Sequence, residues 1–202
     1  EEIMSLSDLE KSLGFCLDNK YLLITFHPVT MESENAGAQC DALLDALKEI
    51  NNEYKFLFTL PNSDTNGRII MNKVNDYVLA NADKAIAVTS LGKKRYYSAL
   101  YNATAVIGNS SSGLIEAPSF GIPTLNIGTR QQGRTRGLTV CDVGSTYDEI
   151  RMGLKHVLSS EFIERAKKAV NPYEKENTIE EIFHVIKSYN LRGLTRKTFY
   201  DL

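Results

Sequence analysis

The sequence predicts an α/β fold built on a doubly wound parallel sheet. Short apolar runs, typical of strands buried on both faces, alternate with segments whose apolar residues recur every three or four positions, as in amphipathic helices. At 202 residues and 43% hydrophobic, the chain is long enough to bury a sizeable core. Alternating β and α segments with apolar strands form parallel sheets covered by helices, so this order predicts the fold class.

The first half of the chain is predicted to contain a short helix and then three strands with helices between them. Ser7 to Glu10 has the pattern of a capping box for a first helix that ends near Gly14. The strands are predicted at 21–26, 54–60 and 85–88, and the later helices at 34–50, 68–80 and 93–101. The apolar stripe of the 34–50 helix consists of Ala36, Cys40, Leu43, Leu47 and Ile50.

The second half is predicted to add three strands and two long helices. The fourth strand ends at Gly108, and the others lie at 124–127 and 139–143. Pro118 removes an amide from the helix after the fourth strand, so that helix should be short or kinked. Helices are predicted at 147–158 and from a second capping box at Thr178 to Glu181. The last helix is expected to turn four residues inward: Ile179, Ile182, Phe183 and Ile186.

Composition excludes several classes of protein. A net charge of −2 and a pI of about 6.0 argue against a nucleic-acid-binding surface. Three scattered cysteines without a CxxC pair indicate reduced thiols rather than a disulfide framework or zinc site. The sequence shows no signal peptide, no apolar run of membrane-spanning length and no metal-ligand spacing. We therefore expect a cytoplasmic protein without a metal, a cofactor or a membrane partner.

Polar, turn-rich loops follow five of the predicted strands. In open α/β sheets, ligands bind beyond the carboxyl ends of the strands, so these loops should share one rim. Each loop taken singly is consistent with ordinary turn chemistry, but charged and polar side chains concentrate along the rim and favour a binding site. Outside the turn that follows the fourth strand, the candidates are His27, Asp64, Arg68, Ser90, Leu91, Gly92, Arg130 and Arg134.

The turn after the fourth strand is the most informative segment. Unpaired backbone N–H groups and serine hydroxyls at a helix start suit a phosphate, and the Glu116 carboxylate one turn further on can accept hydrogen bonds from a ribose diol. Such residues predict a nucleoside diphosphate site, with Asn109, Ser110, Ser111, Ser112 and Gly113 as candidates. A plain capped helix is the alternative, because the turn matches neither common phosphate-loop spacing.

The charged candidates also allow more than one interpretation. His27 can contact a phosphate or move a proton near neutral pH, or it can simply bond a local carbonyl. Arg130 and Arg134 can pair with a phosphate or a sugar carboxylate, or lie in a solvated loop. Asp64 and Arg68 can contact the ligand or form an exposed local pair of little energetic weight.

Four ordered motifs together carry a family resemblance. They are Thr25 to Thr30, Pro61 to Arg68, Gly108 to Gly113 and Gly128 to Arg134. In this order they resemble the hydrolysing UDP-N-acetylglucosamine 2-epimerases of sialic-acid-type pathways, and the ending at 197–202 is similar to bacterial members. The resemblance covers nearly the whole chain but only the C-terminal half of the family's proteins.

The resemblance implies a UDP-binding domain spanning 1–202, one of two Rossmann-like domains in a glycosyltransferase-B arrangement. By motif matching, Ser111 and Ser112 would contact the diphosphate and Glu116 the ribose. The segment 90–92 would lie near uracil, and His27 would be the active-site histidine near the phosphates. Arg134 falls in the loop typical of the sialic-acid branch.

The family's reaction eliminates UDP across C1–C2 of the sugar to a glycal, and water then adds to give the 2-epimeric free sugar. The resemblance implies a homo-oligomeric parent enzyme that acts as a hydrolase and isomerase in sialic acid biosynthesis and releases N-acetylmannosamine. The carboxylates that move the protons would lie in the N-terminal half, so the chain alone should be inactive. The last helix, about 178–190, and the tail are expected to pack on that half.

Three alternatives remain open at this point. The same chemistry could act on a UDP-2,4-diacetamido sugar. The chain could instead be the donor-binding domain of a glycosyltransferase, which would pass the sugar to an acceptor rather than to water. It could also be a non-catalytic nucleotide-binding module.

Overall fold

Six parallel strands form one sheet in the order β3-β2-β1-β4-β5-β6. The computed structural model describes residues 3–29, 35–61 and 65–190. The strands are β1 (Tyr21–Thr25), β2 (Lys55–Thr59), β3 (Ala85–Val88), β4 (Ala105–Gly108), β5 (Thr124–Ile127) and β6 (Val140–Val143). Successive strands are added on one side of β1 up to β3 and on its other side from β4 onward. This strand order is that of a Rossmann-like doubly wound sheet and confirms the predicted fold class.

The helices alternate with the strands, and the chain divides into two compact units after Pro172. The helices are α1 (Leu6–Leu13), α2 (Ala36–Lys48), α3 (Thr65–Ala80), α4 (Gly92–Asn102), α5 (Ser112–Ile115), α6 (Tyr147–Val157), α7 (Ser160–Lys167) and α8 (Thr178–Ser188). The first unit holds the sheet with α1 to α7, and α8 belongs to the second unit.

Two apolar clusters cover the two faces of the sheet. Side chains of a strand point alternately to opposite faces, and all five residues of β1 are buried. Leu22 and Ile24 lie in one cluster with α2 and α6, and Tyr21 and Leu23 lie in the other with α1 and α4. The continuous apolar run of β1 therefore reflects a central strand that is covered on both sides.

Most predicted elements are found within one to three residues of their expected ends. The strands at 85–88 and 124–127 agree with β3 and β5, and the apolar stripe of α2 faces the core. Pro118 has the expected effect: α5 has only four residues and is followed by a 3₁₀ turn, Ala117–Phe120. The sequence analysis missed α7, which begins after the N-cap Ser159.

Both predicted capping boxes are wrong. The N-cap of α1 is Ser5, whose side chain accepts from the Asp8 N–H, whereas Ser7 lies inside the helix. At the other end of the chain, Asn177 caps α8 in a left-handed conformation without a side-chain bond, and the Thr178 hydroxyl donates to the Lys175 carbonyl at 2.7 Å. A complete capping box occurs instead at Thr146 and Glu149, at the start of α6.

The expectation that α8 buries an apolar face is also wrong for the described residues. No residue of α8 is buried. The four residues expected to point inward are exposed, namely Ile179 (79%), Ile182 (55%), Phe183 (63%) and Ile186 (69%). The helical period was identified correctly, but the residues on this face are exposed.

Candidate functional site

The carboxyl ends of β1 and β4 lie side by side at the point where the strand order reverses. Thr25 and Gly108 are the last paired residues of these strands. Gly108 has φ +130°, and a Cβ there would lie 2.0 Å from the Thr25 carbonyl oxygen, so only glycine allows this close approach. The loops that follow the two strands are therefore held together at the position where open α/β sheets bind ligands.

A cleft of about 350 Å³ lies at this edge of the sheet. It brings together three of the predicted groups, His27 after β1, the segment 90–92 after β3, and Glu116 after α5. A larger cavity of about 890 Å³ lies between the end of α2 and the helices α6 and α7, and its lining contains none of the predicted residues. We place the candidate site in the smaller cleft because three of the predicted groups line it.

Glu116 carries a carboxylate oxygen that is buried and lacks a hydrogen-bond partner. No described residue donates to its Oε2 atom. An ionised carboxylate can accept several hydrogen bonds, and leaving a buried one unsatisfied is costly. An unpartnered acceptor in the wall of an open cleft is therefore available to hydroxyl donors of a ligand.

The serine turn offers donors beside this carboxylate. The backbone N–H groups of Ser110 and Ser111 have no hydrogen-bond partner among the described residues. The hydroxyl of Ser112 is bonded to that of Tyr96, and burial raises the pKa of Tyr96, which therefore stays protonated at neutral pH. Gly113 is buried, and its carbonyl accepts from the Thr124 hydroxyl at 2.8 Å.

Asn109 connects the serine turn to the loop that carries His27. Its side-chain Oδ1 accepts from the His27 backbone N–H at 2.7 Å, and its Nδ2 donates to the His27 carbonyl at 2.8 Å. Asn109 is only 1% exposed, so its side chain does not reach the cleft surface. The half-buried His27 is thus fixed at its backbone, across 82 residues of sequence, by a single amide.

The loop after β5 brings Arg130 to the same turn. Arg130 donates from Nη1 to the Asn109 carbonyl at 2.9 Å, and the buried Gln131 donates to the same oxygen at 2.7 Å. Burial lowers the pKa of Arg130, and the positive charge of the nearby Arg134 lowers it further. Arg136, by contrast, pairs with Asp142 through Nε at 3.0 Å and is structural.

Of the two remaining candidates, the structure describes only Arg68. Arg68 is exposed in the first turn of α3 and does not line the cleft. Asp64 lies outside the described residues. Sequence reasoning missed Tyr96 and Gln131, the first of which lines the cleft four residues after Gly92 on α4. The helical spacing from the predicted segment 90–92 was the signal available for Tyr96.

The described residues contain neither a metal-binding cluster nor a membrane-spanning helix. No group of three or more His, Cys, Asp or Glu side chains there could hold a metal ion. None of the described helices combines the length and the apolar character that crossing a membrane requires.

Sequence comparison identifies relatives over nearly the whole chain. Residues 2–187 match the family model described as UDP-N-acetylglucosamine 2-epimerase. The Escherichia coli polysialic acid biosynthesis protein P7 is 35% identical over 196 residues, which cover 96% of this chain and 49% of that protein. The Campylobacter jejuni GDP/UDP-N,N'-diacetylbacillosamine 2-epimerase (hydrolyzing) is 36% identical and covers 96% and 50%, respectively. A Legionella pneumophila UDP-N,N'-diacetylbacillosamine 2-epimerase (hydrolyzing) is 34% identical, with 89% and 46% covered.

Solved structures agree with the fold. The S. aureus MnaA–UDP co-structure superimposes with a TM-score of 0.69 at 20% identity and covers 93% of this chain and 48% of that one. The Methanocaldococcus jannaschii UDP-GlcNAc 2-epimerase in complex with UDP-GlcNAc and UDP gives a TM-score of 0.67 at 16% identity, with 90% and 48% covered. The chain spans about half the length of the curated relatives it matches.

Proposed function

Because the chain belongs to the UDP-N-acetylglucosamine 2-epimerase family, we propose that it is the UDP-binding domain of a hydrolysing 2-epimerase. The reaction eliminates UDP from UDP-N-acetylglucosamine: the C2 proton leaves, the C1–oxygen bond to UDP breaks, and a glycal forms. Water then adds across the double bond, with hydroxyl at C1 and a proton at C2, to give N-acetylmannosamine. Relatives named as hydrolysing 2-epimerases support this reaction over transfer of the sugar to an acceptor.

The unpartnered Glu116 carboxylate in the cleft is the observation that carries the nucleotide assignment. We assign its acceptor oxygens to the ribose hydroxyls, because a diol offers two donors to one carboxylate. The free N–H groups of Ser110 and Ser111 and the Ser112 hydroxyl are assigned to the diphosphate. The N–H of Gly113 donates to the Ser110 carbonyl at 3.3 Å, so Gly113 is assigned a place in the turn beside the diphosphate rather than a donor role.

The remaining candidates are assigned to the two ends of the ligand, although Arg130 and Arg134 lie in the loop after β5 and not in the lining of the cleft. The segment 90–92 borders the cleft on the β3 side and is assigned to uracil. His27 and the arginines Arg130 and Arg134 are assigned to the phosphate end, where negative charge grows on the departing UDP. Asp64 and Arg68 stay proposals for contacts with the sugar or phosphates.

The exposed apolar face of α8 is assigned to a second domain. Its four large apolar residues are uncovered, and the curated relatives are about twice as long as this chain. We propose that α8 and the tail pack on that second domain, which supplies the acids that move protons at C1–C2. The parent enzyme is proposed to be a cytoplasmic homo-oligomer.

A second substrate has specific support. Two of the curated relatives, at 34–36% identity, are named as diacetylbacillosamine 2-epimerases. The alternative proposal is therefore the same elimination and hydration on a UDP-2,4-diacetamido sugar.

The deciding experiment incubates the full-length protein that contains this chain with each UDP-sugar in turn and identifies the released sugar by NMR. Release of the 2-epimeric free sugar with UDP, in the absence of any acceptor, is the expected result. The preferred substrate is the one turned over with the higher kcat/KM. Release that depends on an added acceptor would replace the hydrolytic proposal with a glycosyltransferase.

A further inference from the structure

The side chain of Asn109 is buried and hydrogen-bonded within the protein. It is 1% exposed, and both of its polar atoms are bonded to the backbone of His27, at 2.7 and 2.8 Å. The Asn109 backbone N–H donates to the Thr25 carbonyl at 3.1 Å. Because the side chain is buried and both of its polar atoms bond to the backbone of His27, it does not face a ligand.

These bonds replace a step of the β-sheet ladder. Along a continued parallel pair of β1 and β4, the acceptor for the His27 N–H would be the Asn109 carbonyl. The side-chain amide takes that place instead, because it presents the same pair of acceptor and donor as a peptide group. The chain turns at Gly108, whose positive φ makes this exchange possible.

The exchange releases the Asn109 carbonyl to the loop after β5. That oxygen accepts from Arg130 at 2.9 Å and from Gln131 at 2.7 Å. One residue therefore ties the His27 loop, the serine turn and the arginine loop together. All three segments carry groups assigned above to the phosphate end of the ligand.

We propose that Asn109 is a positioning residue that sets His27 against the departing diphosphate. This inference rests on the proposed function and assigns Asn109 a role through His27 rather than through UDP. A shift of about 1 Å in a catalytic group can lower the rate about 100-fold. Asn109 fixes both the N–H and the carbonyl of His27, so it constrains the backbone that carries the imidazole.

The test is Asn109→Asp in the full-length protein. This near-isosteric change keeps an acceptor for the His27 N–H but places an oxygen against the His27 carbonyl, so one bond becomes a repulsion. It leaves the backbone carbonyl in place for Arg130 and Gln131. We expect kcat to fall about 10- to 100-fold, whereas the Kd for UDP changes by less than about threefold.

A double-mutant cycle separates positioning from a general loss of structure. If Asn109 acts through His27, Asn109→Asp should lower kcat by less than about threefold in a His27→Ala background. Asn81→Asp is the matched control, because its Nδ2 also donates to a backbone carbonyl at 2.8 Å, but in the turn before β3. It should leave kcat per folded molecule unchanged. Additive losses, or an equal loss in the control, would overturn the proposal.

Hydrogen exchange gives a readout that needs no turnover. Asn109→Ala removes the acceptor of the His27 amide, so that amide should exchange faster while the β1 amides keep their protection. Unchanged protection at His27 would also overturn the proposal. If the unsubstituted full-length protein released no sugar, the proposed function would fail, and the exchange rates would still decide whether Asn109 fixes His27.

Discussion

Glu116 is the residue whose replacement tests the nucleotide site most directly. Each hydrogen bond from a ribose hydroxyl to this carboxylate is worth about 1.5–3 kcal/mol, so Glu116→Ala should weaken UDP binding markedly while the fold is kept. Calorimetry with UDP measures the loss.

The choice of ligand provides the control for this prediction. Uridine contains the ribose and should lose affinity as UDP does, whereas inorganic diphosphate lacks the ribose and should be unaffected. Equal UDP affinity in a folded Glu116→Ala variant would return Glu116 to a structural role.

Tyr77 is a second residue with an unsatisfied polar group, in this case inside the core. It is 5% exposed, and its hydroxyl has no partner among the described residues. Tyr77→Phe removes that hydroxyl and keeps the ring that packs on Phe56 and Phe58, so the free energy of unfolding should rise by about 1 kcal/mol. Denaturant unfolding at pH 7 gives the value, with the exposed Tyr101→Phe as the control.

The same tyrosine predicts how stability depends on pH. Burial raises the pKa of Tyr77 from 10.0 to about 12. Between these values the unfolded state loses the phenolic proton and the folded state keeps it, so stability falls as the pH rises above 10. The stability of the Tyr77→Phe variant should fall less over this pH range. Parallel curves for the two proteins would show that Tyr77 ionises normally.

The positions of polar side chains after the strands predicted which groups share one edge of the sheet, but not how these groups are connected. His27, Glu116 and the segment 90–92 were named from their positions after strands, and the fold brings them to one cleft. The bonds of Asn109 to His27 join residues 82 positions apart and depend on the order of the strands. Local pattern carries no information about such long-range pairs.

At the scale of elements, long apolar patterns were predicted better than helix starts. The strands and α2 have patterns fixed by burial, whereas a cap depends on which of several nearby polar residues adopts extended backbone. Ser5 does so at α1, and Glu10 instead accepts from the Leu17 N–H at 2.8 Å. Ser5 with Asp8 and Ser7 with Glu10 both have cap-like spacing, so the sequence alone could not decide which serine caps the helix.

Gly108 links the elements β1 and β4, and its replacement tests that junction. In Gly108→Ala the new Cβ would meet the Thr25 carbonyl oxygen at 2.0 Å at a strained φ, so we expect a loss of about 3 kcal/mol or more. Gly14→Ala is the control, because Gly14 has φ +63° and no atom near its Cβ. It should cost only about 1–2 kcal/mol. Equal losses would show that backbone strain alone acts at Gly108.

At the scale of the whole molecule, the arrangement of the sheet follows from a few general rules, whereas the exposure of the apolar face of α8 does not. Parallel strands joined by helices lead to a sheet with helices on both faces, as found. The apolar period of α8 predicts a buried face without saying what buries it. The period of a single helix carries no information about the surface that covers it.

The last prediction concerns the 202-residue chain alone. The first unit has a complete sheet with a covered core on both faces, so the chain should fold and bind UDP. It should release no sugar, because elimination needs acids beside the C1–C2 bond. Glu116 is the only acid among the described residues that line the cleft, and it is assigned to ribose.

NMR of the purified chain mixed with UDP-N-acetylglucosamine tests this expectation, with the full-length protein measured in parallel as the positive control. UDP binding should also be weaker than in the full-length protein, because water reaches a cleft that a second domain would otherwise close. Release of N-acetylmannosamine at a rate comparable to that of the full-length protein would refute the two-domain assignment of the chemistry. The proton transfer would then have to come from this chain, and Asp64, which lies between β2 and α3 in the sequence, would be the first acid to replace.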